Sequence, residues 1–366
     1  MNRTLLASGI ACAAALFPLG VQAASFSSFT VFGDSLSDSG NLFNLTSTFG
    51  PGQPPEPYNQ RFSDGLLWID IVQQKLGLSP ALSTELLLSP FPVDTSEGIN
   101  FAFAGALSSD VNVGDNQVPD FAAGLLPGLQ DQRASFEQLV AAGLPVDPTG
   151  LFAVWAGAND YTEFFADPTV GAGRSPLDIP GEATDNVLGS IVKLAELGAK
   201  NILVPNIAAV GSSPFGRILD AAVPQQDLVT LLNLLSAAHN QLLAAKLDAF
   251  EAQYTDVNLI ELDVATLIAS AISTPTDFGF TDVTTTCLPS LPGSVMCSDP
   301  DEFLYWDDTH PTEAAHEFVA ELALAALADD AGSGGGMTST PEPGLVGGTL
   351  LAFGLTGLWR RRQRAA

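Results

Sequence analysis

The chain has only three histidines in 366 residues, and that scarcity narrows the search for a general base. His239 and His316 fall inside helix-patterned segments, where a helix face accounts for them. His310 stands apart in Trp306-Asp307-Asp308-Thr309-His310-Pro311-Thr312, a polar loop immediately before the last helical pattern. Loops on a rigid scaffold often carry catalytic groups. Asp307 precedes His310 by about one turn, so its carboxylate can reach the far ring nitrogen and hold one tautomer. Asp308 is a rival for that role, and a plain surface histidine would read the same way in isolation.

A nucleophile has to come from elsewhere. The stretch Phe32-Gly33-Asp34-Ser35-Leu36-Ser37-Asp38-Ser39-Gly40-Asn41 follows the apolar run Phe29-Thr30-Val31-Phe32. That run reads as a buried strand, broken where glycine frees the backbone and Asp and Ser favour a turn. Ser35 then sits at the C-terminal end of a strand, where open α/β sheets bind ligands. Asp34 and Asp38 read as turn and cap residues, and Ser35 alone could be a cap too.

Acyl transfer also needs donors aimed at a developing oxyanion. Leu151–Trp155 runs into Gly157-Ala158-Asn159-Asp160, which places an amide side chain just past a strand. Ile99–Phe103 runs into Ala104-Gly105-Ala106, where an unhindered backbone N–H can approach a ligand. Each stretch alone is also ordinary turn chemistry.

These groups need a frame. Five β-rich runs stand out at Thr30–Phe32, Ile99–Phe103, Leu151–Trp155, Asn201–Pro205 and Asn258–Asp263. Helical periodicity appears over Leu66–Leu76, Ser135–Ala142, Asp185–Leu197, Asp227–Phe250 and Glu313–Ala328. Strands alternating with helices predict a parallel sheet covered on both faces, a three-layer α/β/α sandwich. The proline-rich stretch Asn41–Gln60 and the stretch Thr274–Pro300 read as long loops.

In this order and these contexts, the blocks around Ser35, Gly105, Asn159 and Asp307/His310 resemble the GDSL or SGNH hydrolase family. Arg61-Phe62-Ser63-Asp64-Gly65 adds a further block, and the likeness runs over nearly all of residues 29–325. It is nearest to the secreted lecithinase or haemolysin-like enzymes and the plant GDSL esterases. The resemblance implies a flavodoxin-like sheet of about five strands in the order 2-1-3-4-5. It implies Ser35 as nucleophile, His310 as proton carrier and Asp307 as the group that orients it. The oxyanion hole would be the N–H groups of Ser35 and Gly105 with the side chain of Asn159. Gly105 is the loosest match, since many relatives have two glycines there. The expected function is an exported serine esterase or lipase acting on ester substrates, without metal or organic cofactor. The alternatives are a carbohydrate O-acetyl esterase acting on exopolysaccharide and a non-catalytic surface or matrix protein on the same fold.

Composition agrees with an exported protein. The formal net charge is −28, which argues against a nucleic-acid partner. Residues 1–23 read as a signal peptide: Arg3, an apolar stretch, then the small-residue site Val21-Gln22-Ala23. The hydrolase domain is expected over 24–330 and a Gly/Ser/Thr-rich linker over 331–340. Residues 341–366 hold Pro341-Glu342-Pro343, a short apolar run to Trp359 and an arginine cluster. This tail resembles the PEP-CTERM sorting signal of Gram-negative bacteria. That resemblance implies membrane tethering, then processing by an exosortase-type enzyme that leaves the protein secreted or at the cell surface.

Cys287 and Cys297 enclose a short loop, and in an exported protein a disulfide is expected, with two free thiols the alternative. The acidic stretch Asp110–Asn116 lacks EF-hand spacing and reads as a solvated loop rather than a calcium site. The Gly-x-Ser-x-Gly, His-Glu-x-x-His and phosphate-loop motifs are absent from the sequence.

Overall fold

In the computed structural model, residues 26–116, 124–167, 173–289 and 295–332 are described. The expected signal peptide (1–23) and sorting segment (341–366) lie outside these residues, as does the expected linker beyond Gly332. In chain order the elements are β1 (Phe29–Gly33), α1 (Asn41–Thr46), α2 (Trp68–Leu76), β2 (Ala81–Leu82), α3 (Ser83–Leu88) and β3 (Ile99–Asn100). Then come α4 (Leu129–Ala141), β4 (Leu151–Trp155), α5 (Ala158–Ala166), α6 (Ile179–Leu197), β5 (Asn201–Pro205) and α7 (Pro214–Ala222). The last are α8 (Leu228–Gln253), β6 (Asn258–Leu262), α9 (Val264–Ser273), β7 (Asp282–Thr286), β8 (Phe303–Tyr305) and α10 (Glu313–Gly332).

The main sheet has six strands in the order β2-β3-β1-β4-β5-β6, and every pairing in it is parallel. The five strands expected from sequence therefore stand in the order 2-1-3-4-5, with the two-residue β2 added at one edge. Side chains alternate across the sheet, as a period of two requires. Phe29, Val31, Leu151 and Ala153 face a core shared with α2, α9 and α10. Phe32, Phe152, Val154 and Ile202 face the other core, shared with α4, α6 and α8. This is the predicted three-layer sandwich.

Helix α8 is long and apolar enough to cross a membrane by length and composition alone. Here Leu228, Leu232, Leu235, His239, Leu243, Leu247 and Phe250 form one buried stripe at helical spacing, turned into the domain. Two expectations change. The stretch Thr274–Pro300 is not irregular throughout, because β7 pairs with β8 in a second, two-stranded parallel sheet. Residues Asp110–Val113 are not simply a solvated loop, because they fold back onto the Gly105 block through the bridge Ala106↔Asn112.

Candidate active site

Strands β1 and β4 pair residue for residue from Phe29↔Leu151 to Gly33↔Trp155, so both end at one level. The chain leaves β1 toward β3 and returns to β4 on the other side. The crevice beyond their carboxyl ends is thus the topological switch point where open α/β sheets bind ligands. Ser35 follows β1 directly, and Asn159 lies in the first turn of α5 after β4.

Gly33 is the last residue of β1 rather than a left-handed turn residue. A Cβ there would lie 2.4 Å from the carbonyl oxygen of Trp155, so glycine is required by the close approach of β4. The buried Gln132 of α4 clamps Gly33 from the other side. The Gly33 N–H donates to its Oε1 at 2.9 Å, and its Nε2 donates to the Gly33 carbonyl at 2.8 Å. That amide joins the Phe103 N–H, which donates to the same carbonyl at 3.1 Å just beyond β3. After the clamp, Asp34 Oδ1 accepts from the Leu36 N–H at 3.0 Å and closes the turn carrying Ser35.

His310 comes from the far end of the chain. Its Nε2 lies 2.8 Å from Ser35 Oγ, and its Nδ1 lies 2.8 Å from Asp307. The backbone N–H groups of Thr309 and His310 also donate to Asp307 Oδ1, at 2.9 and 2.8 Å. Burial pulls the Asp307 carboxyl upward, but the His310 charge and these donors outweigh it and hold the group below its ordinary range. Asp307 is therefore an anion wherever His310 needs one. The balance falls the other way at Asp34, where burial outweighs fewer donors and pushes the carboxyl up to about 6.

The loop bearing His310 is held by a segment far away in sequence. Phe62 packs on the His310 ring at a centroid distance of 4.9 Å. Ser63 Oγ donates to the Pro311 carbonyl at 3.0 Å, and Asp64 Oδ1 accepts from the Glu313 N–H at 2.8 Å, which caps α10. Tyr58 donates its hydroxyl to Asp307 Oδ2 at 3.0 Å. The Arg61–Gly65 block thus serves as the bracket for the histidine loop. Tyr58 was not legible in the sequence, because it lies among prolines with no periodicity around it.

Asp38 and Asn112 fix the second donor block. Asp38 accepts from the N–H groups of Gly40, Asn41 and Leu42 and also from Ala104 at 2.8 Å, so it caps α1 and grips the Gly105 strand end together. Asn112 Nδ2 donates to the Ala104 carbonyl at 3.0 Å. Gly105 has φ +81 and no room for a side chain, since a Cβ would come 2.7 Å from Asn112 Oδ1. Neither the Ser35 nor the Gly105 N–H has an acceptor among the described residues. Asn159 Nδ2 donates one hydrogen to the Ala106 carbonyl at 3.0 Å, which orients the amide and leaves its second hydrogen free.

Ser35, Asn159 and His310 line one cavity of about 100 Å³, whose wall is otherwise mostly apolar; Gly105 is not among its lining residues. His239 stays outside this cavity. It hydrogen-bonds Tyr161 at 3.0 Å and packs beneath Gly157, where the chain turns into α5. Cys287 and Cys297 form a disulfide with a Cα–Cα distance of 4.8 Å. Beside it, the Cys287 N–H donates to the Tyr305 carbonyl at the end of β8, the strand that leads into the histidine loop. Among the described residues, no group of three metal-ligating side chains comes together.

A parallel sheet with Ser, His and Asp hydrogen-bonded in series at its carboxyl edge is an arrangement suited to ester hydrolysis. The model of the GDSL-like Lipase/Acylhydrolase family matches residues 29–323, and the chain belongs to that family. It is an ester-hydrolysing enzyme. Two GDSL esterases/lipases of Arabidopsis thaliana are similar to it along most of their length. One is 28% identical over 83% of this chain and 88% of its own. The other is 24% identical over 80% of this chain and 82% of its own. Among solved structures, an acetylxylan esterase from Geobacillus stearothermophilus is similar at 14% identity and a TM-score of 0.41, covering 82% of this chain and 94% of that one. A lipolytic protein of the G-D-S-L family from Veillonella parvula is similar at 13% identity and a TM-score of 0.35, covering 81% and 96%.

Proposed function

We propose that this protein is an exported serine esterase working through an acyl-enzyme. The observation that carries the reading is the continuous series from Asp307 through His310 to Ser35 Oγ, with 2.8 Å at each His310 contact. Ser35 Oγ attacks the ester carbonyl carbon while His310 Nε2 takes its proton. The carbonyl oxygen becomes an oxyanion facing the N–H groups of Ser35 and Gly105 and the free hydrogen of the Asn159 amide. His310 then returns the proton to the departing alkoxide, which leaves as the alcohol. Water attacks the acyl-serine by the same route in reverse and releases the acid.

Ser35→Ala is expected to abolish both p-nitrophenyl ester hydrolysis and labelling by a fluorophosphonate probe. Hydrolysis that survives this change overturns the nucleophile assignment. Asn159→Ala is expected to lower kcat by about 10²–10³ with little change in KM, as loss of one preorganised oxyanion donor does. A raised KM at unchanged kcat would make Asn159 a ground-state contact instead.

Export and tail processing rest on the sequence of residues 1–23 and 341–366. The expectation is a mature protein beginning near Ala24 and trimmed near Pro341-Glu342-Pro343. Intact-mass measurement of protein recovered outside the cell tests it, and an untrimmed tail there overturns the processing step.

A further inference from the structure

The segment that carries Gly105 is held at both ends. Asp38 and Asn112 fix its near end at Ala104. Its far end, Ala106 to Ser108, is joined to the first turn of α5 by three hydrogen bonds. Asn159 Nδ2 donates to the Ala106 carbonyl at 3.0 Å. The Ser108 N–H donates to Asp160 Oδ2 at 2.9 Å, and Ser108 Oγ donates to Asp160 Oδ1 at 2.7 Å. Both carboxylate oxygens of Asp160 are thus engaged by one residue of the neighbouring segment. Ser108 is fully buried, and its Oγ also accepts from Asn186 Nδ2 of α6 at 3.0 Å. Asp160 is not among the residues that line the cavity, and the acyl-transfer steps use neither it nor Ser108.

We propose that Asp160 is a positioning residue: it locks the Gly105 segment onto α5 and so sets the spacing of two oxyanion donors, the Gly105 N–H and the Asn159 amide. This inference rests on the serine-esterase reading and deepens it. The two donors stand on different segments, so their spacing is only as fixed as the contact between those segments. Of the three hydrogen bonds there, the one that does not involve Asp160 comes from the Asn159 amide. That amide must also face the oxyanion with its other hydrogen, so slack in the contact would misplace it. Asp160 takes over the holding. A carboxylate suits the task, because it offers two acceptors on a short stem and makes charge-assisted hydrogen bonds. Its place in the first turn of α5 also agrees with the helix dipole. A negative charge gives no help to a developing oxyanion, so the role lies in the two contacts and not in the charge. Donors lower the barrier only where they are already in place, and a misplacement of about 1 Å can cost about 10²-fold in rate.

The test measures kcat and KM separately for p-nitrophenyl butyrate on the purified protein, with Ser35→Ala as the blank. Asp160→Ala is expected to lower kcat by about tenfold to a hundredfold and to leave KM within about twofold. Asp160→Asn keeps an acceptor for the Ser108 N–H and a polar partner for its hydroxyl, so its kcat should return to within about threefold of wild type. Ser108→Ala removes the hydroxyl contact alone and should lower kcat about threefold, again at unchanged KM. Wild-type kcat in Asp160→Ala overturns the inference and leaves the esterase reading standing. A raised KM at unchanged kcat overturns it too. So does an Asp160→Asn variant as slow as Asp160→Ala, which would make the charge and not the grip the active element. Where Asp160→Ala fails to fold, Ser108→Ala decides, and wild-type kcat there overturns the inference. Hydrolysis that survives Ser35→Ala overturns the esterase reading and this inference with it.

Discussion

Tyr58 reaches Asp307 across 249 positions of sequence, and its hydroxyl is one of the donors that keep the carboxylate charged and aimed. It is absent from the cavity wall, so its influence must pass through Asp307 and His310. Tyr58→Phe should therefore lower kcat about tenfold, the kinetic equivalent of about 1.4 kcal/mol, and leave KM nearly unchanged. A KM that rises while kcat holds would show that Tyr58 touches substrate. The sequence pointed to Ser35, Asp307, His310 and Asn159 because each sits beside a signal: a strand end, a histidine in a loop, a carboxylate one turn away. Tyr58, Gln132 and Asn112 have no such local signature. What marks Tyr58 and Gln132 is a partner 249 and 99 positions away, and only folding brings each pair together.

At the scale of elements, the end of β1 is the most constrained backbone in the site. Trp155 of β4 presses on Gly33 from one side and Gln132 of α4 grips it from the other. Gly33→Ala would drive a Cβ against a backbone carbonyl that cannot rotate away. It is expected to lower folding stability by at least about 2 kcal/mol, measured by denaturant unfolding. A neutral result would mean that β1 and β4 can separate at no cost. The glycine was visible in the sequence, but its reason was not: it read as freedom to turn, whereas the structure shows lack of space. The five main strands were legible because each lies in a dense apolar run bounded by turn residues, and their order was what the family resemblance implied. β2 has two residues, and β7 is the polar run Asp282–Thr286. Short or polar strands leave little periodicity to read. The same limit hid α1, α3, α5, α7 and α9, each of ten residues or fewer.

Across the whole molecule, the buried titratable groups couple stability to pH in opposing directions. Asp34 binds a proton more tightly folded than unfolded, with its carboxyl raised from 3.8 to about 6. Its contribution is therefore full below about pH 4 and lost as pH rises through about 6. His316 and His239, lowered by burial to about 3 and about 4, contribute fully above about pH 6.5 and lose that contribution as pH falls. The wild-type profile sums these effects, and Asp34→Asn isolates one of them while keeping an acceptor for Leu36. Relative to wild type, the variant should gain on the order of 3 kcal/mol between pH 4 and pH 7 in denaturant unfolding. A difference that does not change with pH would mean Asp34 is ionised throughout. The bracket that joins residues 58–65 to the histidine loop has another consequence. Ser35 and His310 stand 275 positions apart, and the early segment's grip on the histidine loop cannot form until that loop and the last helix have been made. A growing chain therefore displays its serine long before its imidazole exists. Such a chain is chemically silent toward the esters around it, and synthesis itself acts as the safety catch until almost the final residues of the domain are added.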